Sequence, residues 1–208
     1  MPTVRRSEIR GGWFKKGEVG LRAEKAQDVD VIPANRPATM PVTEGEGIEQ
    51  LAGIIASSLD LSQVYQHFTA QVKRLVDFDR AGINIIEEAR SVARIAYLAQ
   101  HGGSYLGQGD TFPLEGSASG YVVETRSTLV RDDLAEDTRF CTGQRFYLDG
   151  LRSSIMVPLV SKNRVLATFS LLSWHPQAYG ERERKILERM APFMASAIEN
   201  SLLFQELN

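Results

Sequence analysis

The sequence predicts an α+β domain: an antiparallel sheet with helices on its faces and a long helix leaving it. Three observations carry this. Leu151–Ser173, reading LRSSIMVPLVSKNRVLATFSLLS, holds two apolar runs, Ile155–Val160 and Val165–Leu172, around the polar break Ser161-Lys162-Asn163-Arg164. The runs are too short for a helix pair and rich in Val, Ile, Leu and Phe, so they read as a buried hairpin at a sheet centre. Ahead of them lie stretches with helical apolar spacing, and from Gly180 onward the helical pattern does not stop.

Composition bounds the class. At 208 residues, with 43% hydrophobic and 24% charged residues, the chain can bury one sizeable core with a tail or small second unit. A formal net charge of −2 argues against a general nucleic-acid binder. No apolar run approaches a membrane span, and no secretory leader is visible, so a cytoplasmic protein is the simplest reading. The single cysteine, Cys141, excludes an internal disulfide and any zinc site built from several cysteines.

Residues 1–47 read as an extension outside the main domain. Seven basic residues precede Asp28 without a sustained period, and Val31–Gly47 carries three prolines and two glycines, as a linker does. From residue 48 the domain begins. Ile48, Leu51, Ile54, Ile55 and Leu59 lie at helical spacing. Asp60 is placed to cap a second helix, Leu61–Val76, with the stripe Leu61, Val64, Phe68, Val72 and Leu75. Ala81–Ile86 and Val92–Gln100 read as a strand hairpin. In the second strand, strict alternation puts Ala93, Ile95, Tyr97 and Ala99 on one face. Thr111–Leu114 is extended, Ser119–Thr125 is a short helix and Thr128–Arg131 a short strand. Asp132–Gly150 mixes polar residues with Phe140, Phe146 and Tyr147 and reads as irregular structure with a short helix. Pro158 lacks an N–H and must fall at a bulge, gap or edge of the ladder.

This order, with Phe78-Asp79-Arg80-Ala81, Gly116-Ser117-Ala118-Ser119-Gly120-Tyr121-Val122-Val123-Glu124-Thr125, Val130-Arg131-Asp132-Asp133-Leu134, Arg152–Leu159 and Tyr179–Glu183, resembles the GAF domain over roughly residues 48–207. The resemblance implies an antiparallel sheet of about six strands and a small-molecule pocket between the sheet and the short helices on one side. It also implies a sensory input to kinases, cyclases or transcription regulators, as in two-component signalling, and dimerisation through terminal helices.

The pocket candidates are Tyr97, Tyr121, Phe140, Phe146, Ser154, Met156 and Ser170, aromatics and small polar groups of the kind that orient a ligand in an apolar concavity. The competing reading is that these side chains fill a core. Other chemistries find little footing. Cyclic-nucleotide-binding relatives carry an Asn-Lys pair after the last strand, where this chain has Ser173-Trp174. Phytochrome-like attachment places a His after the cysteine, where this chain has Thr142. The sulfoxide-reductase branch uses several cysteines, and this chain has one. His67, His101 and His175 show no metal-ligand spacing, and Gly102-Gly103, Gly107 and Gly109 lack the Lys-Ser/Thr of a phosphate loop. The sequence names no cofactor.

In the last helix, Ile186, Met190, Phe193, Ala197, Asn200, Phe204 and Leu207 step as a heptad seam beside a second row, Leu187, Met194, Ile198 and Leu202. The expected use is one row buried on the domain and part of the other on a partner helix, in a parallel homodimer whose helices bundle with Ile48–Leu59, with Pro192 kinking the helix. The functional expectation is therefore a non-enzymatic sensory module, alone or as one piece of a larger signalling protein. It would bind a small molecule or partner and relay its state through the terminal helices as a homodimer. The alternative is a ligand-free dimerisation module.

Overall fold

The computed structural model describes residues 61–100 and 106–206. The expected extension over 1–47, the amphipathic stretch 48–59 and the Asp60 cap lie outside the described residues.

The elements run α1 (Leu61–Leu75), β1 (Arg80–Glu87), a 3-10 turn, β2 (Val92–Gln100), β3 (Thr111–Pro113), α2 (Ala118–Thr125), β4 (Leu129–Arg131), α3 (Cys141–Leu148), β5 (Ser153–Ser161), β6 (Arg164–Ser173) and α4 (Glu181–Glu206). The strands form one six-stranded antiparallel sheet in the order β3-β2-β1-β6-β5-β4. The expected central hairpin is β5–β6. It turns at Lys162 and Asn163, both at positive φ (45° and 63°), the conformation that matches the right-handed twist of the flanking strands. Pro158 lies beyond Met156, the last β5 residue that β4 reaches, so its missing donor falls where that side of the strand carries no ladder.

One face of the sheet is covered by α1 and α4. Val64, Tyr65, Phe68 and Val72 of α1 are buried there, with the Phe68 ring set edge-on against Phe169 at 5.1 Å between centroids. From α4 come Ile186, Leu187, Met190, Met194, Ala197 and Ile198. Each large side chain so buried contributes about 1.5–3 kcal/mol of transfer free energy.

Residues of both apolar rows of α4 as far as Ile198 thus enter the domain's own core, while the side chains of Phe204 and Leu207 lie outside the described residues. Phe193 is half-buried, while Glu188, Arg189, Pro192, Ser196 and Asn200 face outward. The physical reason is angular: adjacent rows stepping by three and four fall within the single broad stripe that a helix presents to a sheet. Pro192 sits inside the helix, on its exposed side, and the helix runs on past it.

The other face carries α2 and α3. Ser117 caps α2, its Oγ accepting from the Gly120 N–H at 3.0 Å. Gly120 is there for space: a Cβ at that position would stand 1.9 Å from the Leu114 carbonyl oxygen, which is backbone and cannot swing away. Gly120→Ala is expected to cost about 1–3 kcal/mol, as overpacking does, read as a lower urea midpoint with unchanged slope.

Candidate functional site

Between this second face and its two short helices lies a cavity of about 40 Å³. Its floor is laid by alternate residues of three neighbouring strands: Arg80, Gly82 and Asn84 of β1, Ser170 and Leu172 of β6, and Met156 of β5. Ile95 and Leu98 of β2, Phe112 of β3 and Leu106 close one side, while Ala118 and Ser119 of α2 and Thr142 and Phe146 of α3 form the roof.

The floor's neutral polar groups bind one another. Asn84 Nδ2 donates to Thr168 Oγ1 at 3.4 Å, and that hydroxyl lies 3.2 Å from Ser119 Oγ. Ser119 Oγ also donates to Met156 Sδ at 3.8 Å, and Ser170 Oγ donates to the Gly82 carbonyl at 3.3 Å. Buried polar atoms held this way avoid the desolvation penalty they would otherwise carry.

The segment that roofs the cavity, Asp132–Gly150, is tied to the sheet by arginines. Arg80, its side chain 5% exposed, donates Nη1–H to Asp149 Oδ2 at 2.9 Å, and its guanidinium lies 5.9 Å from the centre of the Phe146 ring. Arg131, 1% exposed, pairs with Asp137 at 2.8 Å and stands 5.2 Å from the Phe140 ring centre. Gly143 makes room for it, since a Cβ there would fall 2.2 Å from Arg131 Nη2. Arg152 pairs with Asp133 through Nε at 3.1 Å and lies over Tyr147. The Arg139 hydrogen bond, and after it that of Arg131, hold the Asp137 carboxyl well below the usual carboxylate range despite the opposing effect of burial. Burial pushes the Tyr65 phenol, on the other face of the sheet, up to about 12.

Of the seven expected pocket residues, Phe146, Met156 and Ser170 line the cavity. Phe140 is buried beside it in a cluster with Ala118, Val122, Leu129 and Met156. Tyr121 stands outside, 38% exposed, its ring tilted on Phe140 at 5.6 Å. Ser154 is buried one pleat beyond Met156, opposite Arg131, outside the cavity lining. Tyr97 is on the wrong face altogether: it packs on Tyr65 of α1 at 5.9 Å. The cause is a bulge. Ile83 pairs with Tyr97 but Asn84 with Ile95, leaving Ala96 as an extra residue, so Ile95 and Tyr97 point to opposite sides. Cys141 is exposed at the start of α3. Arg80, Asn84 and Ser119 were missed. Their signal was present in β1, where Arg80, Gly82 and Asn84 alternate with apolar Ala81, Ile83 and Ile85.

An antiparallel sheet with two helices on one face and a roofed cavity on the other defines a small α+β domain. The chain belongs to the GAF domain family, whose model matches residues 58–199. No curated protein matches the chain in sequence. Among solved structures, the GAF domain of a two-component sensor histidine kinase from Bacillus halodurans is similar at 23% identity, covering 71% of this chain and 99% of that one with a TM-score of 0.64. The GAF domain of a phosphoenolpyruvate-protein phosphotransferase from Coxiella burnetii is similar at 12% identity, 78% and 96% coverage and a TM-score of 0.67. Free methionine-R-sulfoxide reductase from Neisseria meningitidis, solved in complex with its substrate, is similar at 18% identity, 77% and 90% coverage and a TM-score of 0.64.

The reductase corrects one expectation. A non-enzymatic module was inferred from the single cysteine and the missing triad, but GAF-fold enzymes stand among the structural neighbours, so those absences do not set the activity class. No helix among the described residues is long and apolar enough to cross a membrane.

Asp137 makes the stability of the domain depend on pH. Its carboxyl is depressed from an unfolded value near 3.8, so its contribution to stability is present above that value and lost as pH falls toward the folded one. Asp137→Asn leaves Arg131 buried without its counter-charge and should cost about 3 kcal/mol at pH 7. The deficit relative to wild type should shrink in urea melts as pH drops from 5 to about 2.

Proposed function

We propose that the domain is a sensory module of signal transduction that binds a small molecule in the cavity beneath α2 and α3 and relays occupancy to α4. One observation carries this reading: the strands that floor the cavity also seat the last helix, residue by alternate residue. On β5, Met156 faces the cavity while Ile155 and Val157 face the helices, and on β6 Ser170 and Leu172 alternate with Phe169 and Leu171. A ligand that displaces Met156 or Ser170 therefore acts on the layer against which Met190, Met194 and Ile198 pack. Ligand binding biases such a two-state arrangement only by its differential affinity for the two states.

Three features support the cavity as the place of binding. It is enclosed by sheet and helices, it combines apolar walls with a few oriented polar groups, and its roof is pinned by ion pairs beside small apolar clusters.

A thermal-shift screen against nucleotides, haem, bilins, amino acids and organic acids tests the reading. A true ligand at a hundredfold excess over its Kd should raise the melting temperature by about 5–10 °C. Ala118→Leu, which places three more carbons in the cavity, should retain cooperative melting and lose that shift. A shift that survives Ala118→Leu undiminished would place binding elsewhere, and the proposal would fail.

A further inference from the structure

We propose that the ligand is a short aliphatic carboxylate whose anionic end takes Arg80 from Asp149. This rests on the reading of the cavity as a ligand site and adds the chemistry of the ligand and the event that signals it.

Arg80 is the only residue with a formal charge among the described residues that line the cavity, and it is 4% exposed. A cation buried that deeply needs a counter-charge, because removing one member of a buried pair strands the other in a poorly solvating interior. The counter-charge is Asp149, whose side chain is 22% exposed and reaches in from the end of α3. The site is thus already built around a carboxylate. A planar guanidinium fork fits a second carboxylate as well as the first, so exchange of one for the other keeps the buried charge neutral. A neutral ligand cannot make that exchange.

The rest of the cavity sets the other end of the molecule. Asn84, Ser119 and Ser170 spend hydrogen bonds on protein partners, while Ile95, Leu98 and Phe112 present carbon. A volume of about 40 Å³ holds roughly three water-sized spheres at about 10–15 Å³ each, so the tail is a few carbons long.

Exchange also reports itself. Asp149 is the C-terminal cap residue of α3, its N–H donating to the Arg145 and Tyr147 carbonyls, and Phe146 of the same turn lies against the Arg80 guanidinium. A ligand carboxylate that frees the Asp149 side chain removes the ion pair tying the roof to β1. Binding and loosening of the last turn of α3 are one event.

The test is calorimetric titration of the full chain with propionate and with propionamide, which share shape and differ in charge. In Asp149→Asn the internal competitor is gone and Arg80 remains, so propionate should bind at least about tenfold more tightly than to wild type, the weight of a charge-assisted hydrogen bond. Propionamide should bind more weakly than propionate to both proteins. Amide exchange in Phe146–Asp149 should rise on adding propionate to wild type. Arg80→Gln should abolish the preference for the acid. Should that variant not fold, Asp149→Asn, altered at a partly exposed position, still decides. Acid and amide binding equally, with both lost in Ala118→Leu, would overturn the carboxylate and leave the cavity standing as a ligand site. Unchanged propionate affinity in Asp149→Asn, or no propionate binding to either protein while other compounds raise the melting temperature, would overturn it as well. Silence of every compound would take both readings down together.

Discussion

Everything in this domain depends on β6 being buried on both faces. Nine of its ten residues, Val165–Ser173, are shielded from solvent, which forces one strand to serve two unlike layers. Towards the helices it offers Ala167, Phe169 and Leu171, fully buried and apolar. Towards the cavity it offers Thr168, Ser170 and Leu172, and the two hydroxyls are tolerable only because Asn84, Ser119 and the Gly82 carbonyl are positioned to engage them. The polar floor is therefore also a packing device. It fixes α2 over β1 and β6 at the point where Ser119 meets Thr168, with a directionality that methyl groups would not supply.

The roof is held by a different kind of force. Asp132–Gly150 has no sustained apolar period, yet it covers the cavity, and α3 itself buries only Gly143 completely. Leu134 and Phe140 are its buried apolar anchors, and beside them Asp133, Asp137 and Asp149 are each engaged by an arginine from the sheet or its approach: Arg152, Arg131 and Arg80. Pairs of this sort add less net stability than their geometry implies, because desolvation offsets much of the attraction. Their effect is on position. They give α3 one docked arrangement, with a directionality that the apolar contacts of Phe140 and Phe146 alone would not supply.

The fold was largely legible because the pattern that specifies it is local. The β5–β6 hairpin, the α1 stripe and the order of the short elements follow from residue spacing and from turn residues, and their ends were misplaced by a residue or two. The cavity was legible in part. Met156, Ser170 and Phe146 could be read because they lie on or beside the central hairpin. Tyr97 could not be placed, since a single extra residue at Ala96 reverses every side chain after it and sequence alternation carries no mark of a bulge. Arg80 escaped for a different reason. A charge at the start of a strand reads as a solvated end, and the partner Asp149 that helps make its burial sensible lies 69 residues away. Heptad spacing in α4 is ambiguous because the same steps describe a coiled-coil seam and one edge of a broad stripe. Burial of Ile186, Met190 and Ala197 against the sheet, a tertiary fact, assigns those three to the stripe.

The small volume of the cavity bears on how such a site can work at all. A pocket that holds about three water-sized spheres when closed admits a larger guest only from an arrangement in which its roof has moved, so measured affinity is the intrinsic affinity scaled by the population of that open form. Under the proposed reading, the ion pairs would set that population. Weakening a pair favours the open form and tightens apparent binding without any new contact to the guest, while strengthening it does the reverse. Under the proposed relay, the same equilibrium would set the resting level of what α4 reports. Substitutions in the Arg–Asp pairs should therefore shift basal output and ligand sensitivity together, whereas substitutions on the apolar wall shift sensitivity alone. That distinction separates a roof that gates from a wall that merely selects.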